Sequence, residues 1–471
     1  MKSGFFNSLK NELKDLGTSF IRGNWKTKLS FVVMGAGNLL YKQIVRGLTF
    51  LGFEVLFFIY LFNGLGGESG MYWISMLPSL GKTGPGEVYD AFYDQYVYAY
   101  NDNSFQILLY GVLTIFLIIA FIGAWRLNIK QAYGNQLLSE RGKKINKFKD
   151  DAKSLVDESF YKTLLALPLT GIIVFMVLPI AFMFLVAFTN YDGTHDGYVT
   201  NLFHWVGFQN IKALFSFGGN TSYGKVFIGI LGWTVIWAFF ATFSNYILGI
   251  LVAIMINRKS IKFKKMWRTI FVLTIAIPQF ISLLYVSKMF DKSGLVNGLL
   301  LKLGWISTAY DFWGHPFSAR LLVILINIWI GIPYLMLIAT GILLNIPEDL
   351  YEAAKIDGAN PIQQFRHITM PYMLFVTGPY LLTSFTGNMS NFNVIFLLSG
   401  GGPTNSAASS AAGSVGYTDL LVTWLFKMTT GAESQYYMAS VIGIVIFVVV
   451  STVTLIVYNV LPSIKNEEDM R

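Results

Sequence analysis

The sequence predicts an all-α integral membrane protein with eight transmembrane helices. Three observations carry that prediction. Of the 471 residues, 54% are hydrophobic and only 13% charged, with a mean hydropathy of +0.53. A soluble chain carries about a quarter charged residues. Apolar runs of about 18 residues or more recur along the chain, each long enough to cross about 30 Å of hydrocarbon as helix. Lysine and arginine alternate between rich and poor connections.

The expected spans are 44–63, 105–125, 164–188, 226–256, 268–290, 318–343, 371–397 and 437–461. The fourth is long enough to tilt or to extend beyond the bilayer. Residues 1–43 hold seven Lys and Arg, 126–161 hold eight and 257–268 hold six. By contrast, 64–104, 189–224 and 398–436 hold one each, and 291–317 hold two. The positive-inside rule then places both termini and residues 344–370 in the cytoplasm. The net charge of +9 reports orientation and needs no nucleic-acid partner.

Ahead of the first span, Phe6, Leu9, Leu13, Leu16 and Phe20 recur at helical spacing with Lys10 and Lys14 between them. That pattern predicts a helix lying on the inner leaflet rather than a cleavable signal. Residues 29–40 are apolar but too short to span, so an interfacial or re-entrant segment is expected. Glu54 falls inside the first span, where a carboxylate serves either as a proton relay or as a bond to a neighbouring helix. No second carboxylate lies within the spans to complete a relay, which favours the bond. Lys288 and Arg320 lie near span ends and can snorkel. The loops 64–104 and 398–436 are rich in glycine, tyrosine and small residues, and irregular exposed loops suited to meeting a partner are expected there.

Several chemistries are excluded or set aside. The chain has no cysteine, so thiolate metal sites, disulfides and cysteine nucleophiles are absent. Gly81-Lys82-Thr83 resembles the end of a phosphate loop, but Met76 stands where the first glycine belongs. The stretch is not read as a nucleotide site. The four histidines show no metal spacing. Catalytic residues, a metal and cofactors are all expected to be none.

The stretch Glu352–Pro371, EAAKIDGANPIQQFRHITMP, is polar between two apolar runs. Pro347 starts a helix, with Glu348 and Asp349 at its positive end. Gly358 ends it. Asn360 caps a second helix at Pro361, with Gln363 completing a capping box. Two short helices joined by a sharp turn are expected, projecting into the cytoplasm. A bare connection needs only about 2–8 residues. On residue physics alone, an ordinary amphipathic loop fits equally well.

The spacing Glu352-Ala353-Ala354, Gly358, Ile368 and Pro371 resembles the EAA motif of membrane subunits of ABC importers. Met370 takes the place of the leucine usual before the final proline. The eight spans and the segment 384–424, with Gly401-Gly402-Pro403 and Gly416-Tyr417-Thr418-Asp419-Leu420-Leu421-Val422, are similar to the larger membrane subunits of maltose/maltodextrin importers. The similarity is good over 160–471 and weaker over 1–160. Residues 189–224 are too few for the large external domain of the enterobacterial members, and the short form looks like the Gram-positive ones.

That resemblance implies an ABC importer permease fold with a coupling helix that seats on an ATPase through Glu352, Ala353, Ala354 and Gly358. Residues 1–160 would hold the amphipathic N-terminus and two accessory helices, and 161–471 the six-helix core with its coupling loop at 345–370. The implied partners are a second permease subunit, an ABC ATPase dimer, an extracellular solute-binding protein, an oligosaccharide and membrane lipid. It implies sugar contacts at Asn327, Ile330, Gly331, Tyr334, Ser384, Gly387, Asn388 and Asn391, with Gly387 standing where the family carries an aromatic ring. From the residues alone, these amides and hydroxyls serve either as sugar ligands or as glue between helices. Three other readings stay open: another glycan such as a galacto-oligosaccharide or uronate oligomer, an ion-coupled secondary transporter, and a membrane enzyme acting on lipid-linked sugars.

Overall fold

The computed structural model describes residues 2–64, 67–81, 87–90, 92–98, 103–198, 201–218, 222–258, 260–406, 408, 414–431 and 434–460. Lys82 and Thr83 lie outside this set, as do the side chains of Phe6, Leu9 and Leu13. The described chain is mostly helical, and its one sheet is an antiparallel pair of Glu87–Asp90 with Gln95–Tyr98. It forms two compact units, 1–206 and 207–471. The helix Phe160–Val186 falls in the first unit.

Among the described residues, six helices are long and apolar enough to cross a membrane. They are Ile44–Asn63, Ser104–Glu140, Phe160–Val186, Tyr223–Asn257, Pro316–Leu343 and Tyr436–Asn459. A seventh candidate is the pair Lys264–Ala276 and Gln279–Met289, bent by 88°. Length and composition thus support six or seven of the eight expected spans among the described residues, and two of the expected spans are interrupted. Pro278 has no N–H and drives Ile277 out of the helical region to φ −80°, ψ 123°, which breaks the span expected at 268–290. The span expected at 371–397 is also interrupted. Met370–Met389 ends at Ser390, and Asn391 caps a new helix, Phe392–Ser399, by accepting from the Val394 N–H.

In the first unit, the helix Lys2–Ile21 forms as the apolar spacing predicts. After it, residues 24–43 fold into a compact, polar-laced segment with short helices at Trp25–Leu29 and Ala36–Leu40. Its backbone is held by side chains of Ser104–Glu140. Asn128 accepts from the Gly35 N–H at 2.9 Å and donates to the Ser30 carbonyl at 2.9 Å. Gln136 accepts from the Asn24 N–H at 2.8 Å, and the Trp125 indole donates to the Phe31 carbonyl at 3.0 Å. Gly35 sits at φ +84°, and a Cβ there would strike the Gly47 carbonyl. Only glycine allows that approach.

Glu54 belongs to the same lattice. Its carboxylate is buried and accepts from the Met34 N–H at 2.8 Å. The carboxyl group therefore satisfies a buried backbone donor that the turn would otherwise leave orphaned. Replacing Glu54 with Leu is expected to cost about 1–3 kcal/mol by stranding that donor. Glu54→Gln, which keeps an acceptor, should cost less. Thermal unfolding of the detergent-solubilised protein, with proteolysis at 24–43 as a local readout, distinguishes the two.

The described part of the loop 64–104 holds regular structure. Ser69 caps Gly70–Met76 by accepting from the Tyr72 N–H, and the hairpin follows. Trp205 donates to the Leu77 carbonyl at 2.8 Å, and Phe203 is fully buried.

The second unit has two apolar cores stacked along its spans. One gathers Trp233, Trp237, Leu283, Val323, Ile326, Val394 and Leu398. The other gathers Tyr246, Ile250, Ala253, Met336, Ala339 and Met373. Gly249 lets the fourth and sixth spans close on each other, because a Cβ there would fall 2.6 Å from the Leu335 side chain. Lys288 remains exposed beside Asp291 at 2.9 Å. Arg320 instead stacks its guanidinium over Trp233, 4.5 Å from the ring centroid, and donates to the Tyr417 carbonyl at 2.8 Å. It packs inward rather than snorkelling.

The described part of 398–431 is tied down, not irregular. Asp419 is 1% exposed and holds three donors. The Gly416 N–H lies at 2.7 Å, the Thr423 hydroxyl at 2.9 Å and the Lys427 ammonium at 2.7 Å. Thr404 bridges to Gly416, and Gly401 at φ +84° leaves room for the Asp419 carboxylate.

Candidate functional site

The polar hairpin after the sixth span forms as its residues dictate. Glu348–Ile356 starts after Pro347 and carries both acids in its first turn. Gly358 takes φ +77° and ends it, with the Ala359 N–H closing on the Ala354 carbonyl at 2.8 Å. Asn360 and Gln363 form the reciprocal capping box, each bond 2.8 Å long. The Tyr351 and Thr369 hydroxyls, 2.9 Å apart, brace the two arms.

Pro371 does not end the second helix but lies in the first turn of the helix that continues it. It cannot donate to the carbonyl of His367. A widened π turn at Phe365–Thr369 absorbs the missing bond, and the helix runs on through Met370–Met389.

Glu352, Ala353 and Gly358 are exposed and Ala354 half-buried. Glu352 makes no ion pair among the described residues. The second arm and the bend enclose a surface cavity of about 390 Å³ lined by Ala354, Asp357, Gly358, Ala359, His367 and Ile368. Two residues missed from the sequence stand out beside them. Ile356 is 87% exposed and Ile362 is 77% exposed, so the bend presents bare aliphatic surface on both sides. Nothing local sets them apart from Phe365, Ile368 and Met370 in the same stretch. An arrangement of exposed isoleucines around a fixed bend, with the exposed carboxylates of Glu352 and Asp357 beside them, suits a groove on another protein.

The expected sugar residues divide. Ile330, Gly331 and Tyr334 line a cavity of about 560 Å³ together with Trp329 and the bend residues Thr274, Gln279 and Ser282. The Tyr334 and Trp329 rings are 52% and 58% exposed. Gln279 and Ser282 escaped the sequence reading because an 88° bend, not a straight helix, turns them to the cavity. Asn327 is buried. Asn388 donates to the Thr242 hydroxyl at 2.9 Å, and its carbonyl accepts from the Trp237 indole at 3.1 Å. Asn391 is committed as a helix cap. Ser384 is half-buried, while Gly387 is exposed with open space where a side chain would stand. These last four do not line the cavity of Tyr334.

Comparison with known proteins places this architecture. A sequence profile described as "Binding-protein-dependent transport system inner membrane component" matches residues 245–464. The maltodextrin transport system permease protein MdxF of Bacillus subtilis is 34% identical over 452 residues, covering 94% of this chain and 97% of that protein. The chain belongs to this family of transport permeases. The galactooligosaccharides transport system permease protein GanP of Bacillus subtilis is 32% identical to the permease over 93% of the chain. The MalF protein of Escherichia coli K12 is 33% identical, but over only 53% of the permease and 48% of its own length. A solved bacterial ABC transporter that imports the acidic polysaccharide alginate superposes with a TM-score of 0.51 at 20% identity, over 66% of the permease and 96% of its own chain. That likeness is one of fold.

Proposed function

We propose that the permease forms half of the translocation pathway of an ATP-driven oligosaccharide importer, with maltodextrin as its substrate. Both termini and the hairpin 345–370 face the cytoplasm in this reading, as the distribution of Lys and Arg requires. A second permease subunit completes the pathway. An ATPase dimer sits beneath it, and an extracellular binding protein delivers sugar to the outer loops. The permease itself hydrolyses nothing. The observation that carries the reading is the hairpin: a protruding bend fixed by Gly358 and a capping box, presenting Glu352, Ile356 and Ile362. A secondary transporter has no use for such a surface, and Glu54 is engaged with a backbone donor instead of a relay.

Closure of the ATPase moves the hairpin as a rigid lever. The brace between Tyr351 and Thr369 and the continuous helix Met370–Met389 pass that motion into the membrane. The cavity then alternates between faces. Tyr334 and Trp329 supply aromatic surface for the apolar faces of a sugar, and Gln279 and Ser282 supply hydrogen bonds.

The test is reconstitution in liposomes. With the second permease, the ATPase, the binding protein and ATP, maltodextrin accumulates. The permease alone accumulates none, and accumulation by it alone ends the reading. Galacto-oligosaccharide in place of maltodextrin is the outcome that reassigns the cargo. Within that assay, Tyr334→Ala is expected to raise the apparent KM about tenfold by removing an aromatic contact. Asn388→Ala should instead lower the yield of folded permease and leave KM unchanged.

A further inference from the structure

The strongest unassigned feature is Asn245, on the fourth span. It is 6% exposed and sits between that span and the sixth. Its amide nitrogen donates to the Ala241 carbonyl at 2.8 Å and lies 3.5 Å from the Asn327 carbonyl. Two carbonyl oxygens on that side fix the orientation of the amide, since the reverse placement would set oxygen against oxygen. The Oδ1 atom is thereby left pointing the other way. It is buried and, among the described residues, meets no donor. Buried acceptors are almost always paired, so an exception asks what donor it serves.

The neighbour of that oxygen is Gly331. A Cβ at Gly331 would fall 2.5–2.7 Å from the amide atoms of Asn245, so the asparagine occupies the room a side chain would need. Gly331 also lines the cavity of Tyr334. One glycine thus touches both the orphaned amide and the sugar cavity. Both helices carry a broken ladder at this crossing. The fourth span widens into a π turn at Phe240–Ser244, immediately before Asn245. The sixth contains Pro333, two residues beyond Gly331, which leaves the Trp329 carbonyl without its helical donor. Such interruptions let helices bend locally, and π turns gather at functional sites.

We infer that Asn245 is a positioning residue of the transport pathway: the fourth and sixth spans part at the Asn245–Gly331 contact during the cycle, and the Asn245 Oδ1 then accepts a hydrogen bond from a hydroxyl donor. The donor is a sugar hydroxyl or a water in the opened cavity. This rests on the importer reading above. It adds a residue that no sugar-contact expectation included, and it explains why position 331 is glycine.

The experiment uses the assembled transporter in liposomes, with uptake normalised to the amount of assembled complex. Asn245→Leu removes the acceptor at similar volume. A rise of about tenfold in the apparent KM with maximal rate retained identifies a sugar hydroxyl as the donor. A fall of about tenfold in maximal uptake and in sugar-stimulated ATP hydrolysis, with KM retained, identifies water. Unchanged KM and rate overturn the inference, as does a loss accounted for wholly by less assembled complex.

Gly331→Ala tests the contact separately. It should lower the yield of assembled complex, and the pair Gly331→Ala with Asn245→Ala should restore it. Full yield with Gly331→Ala alone, or no repair by the pair, refutes the contact. If the wild-type transporter takes up no sugar, the importer reading fails instead. The yield and repair measurements would still decide the contact.

Discussion

Replacing Gly358 with valine is expected to reduce ATP-driven sugar uptake at least tenfold in the assembled transporter. Gly358 holds φ +77° at the bend of the hairpin. A side chain in the left-handed region costs about 1–2 kcal/mol, and a β-branched one is a stronger outlier there. Space is not the limit, because a Cβ at 358 would meet nothing within 4 Å. The strain instead re-aims the two arms, and with them Glu352, Ile356 and Ile362. Span insertion does not depend on this bend, so the amount of permease in the membrane should hold. Gly358→Asn is the control, since asparagine tolerates the left-handed region. It should retain most of the uptake. Equal activity of the valine variant would show that the bend transmits nothing to a motor.

The hairpin was legible because its determinants are local. Pro347, Gly358, Asn360, Pro361 and Gln363 each act within a few residues, and the structure shows the cap, the bend and the capping box they specify. Span positions were legible for the same reason, as hydropathy is a property of a contiguous window. The number of spans was not. Whether Pro278 kinks a helix gently or turns it by 88° depends on what packs against both arms. The break at Ser390 depends on Asn391 acting as a cap, which its sequence context of polar residues did not distinguish from a sugar ligand.

Pairings between residues about a hundred positions apart left no local trace. Asn128 with Gly35, Gln136 with Asn24 and Asn388 with Thr242 all had to be seen in space. They account for why the segment 29–40 enters the fold and why the polar run on the seventh span is divided. Half of that run bonds other helices or caps, and the expected sugar surface shifts toward Tyr334 and the bend at Pro278. The bare isoleucines at 356 and 362 were equally invisible, since exposure is a tertiary property.

The second large effect is expected at Asp419, where Asp419→Ala should destabilise the segment 398–431 by about 3–5 kcal/mol, the range for stripping one partner from a buried pair. Alanine would leave the Gly416 N–H, the Thr423 hydroxyl and the Lys427 ammonium without their common acceptor. Asp419→Asn should cost much less. Burial pushes the Asp419 carboxyl above its ordinary value, and the Lys427 ammonium with its hydrogen bond opposes that only in part. The charge is therefore the unfavourable component and the acceptor oxygens the favourable one, and asparagine removes the first while keeping an acceptor. The sign of the pH dependence follows. The folded state holds this proton more tightly than the unfolded chain does, so the group's contribution is fully present below about pH 3.9, the unfolded carboxyl value, and is lost as pH rises through the raised one. Asp419→Asn should lack that slope. Thermal unfolding of the three proteins across acid to neutral pH, with proteolysis at 398–431 as the local readout, measures both effects. An alanine variant as stable as the wild type would mean that this segment is held by its apolar contacts, Leu420, Leu421 and Trp424, and not by the buried acid.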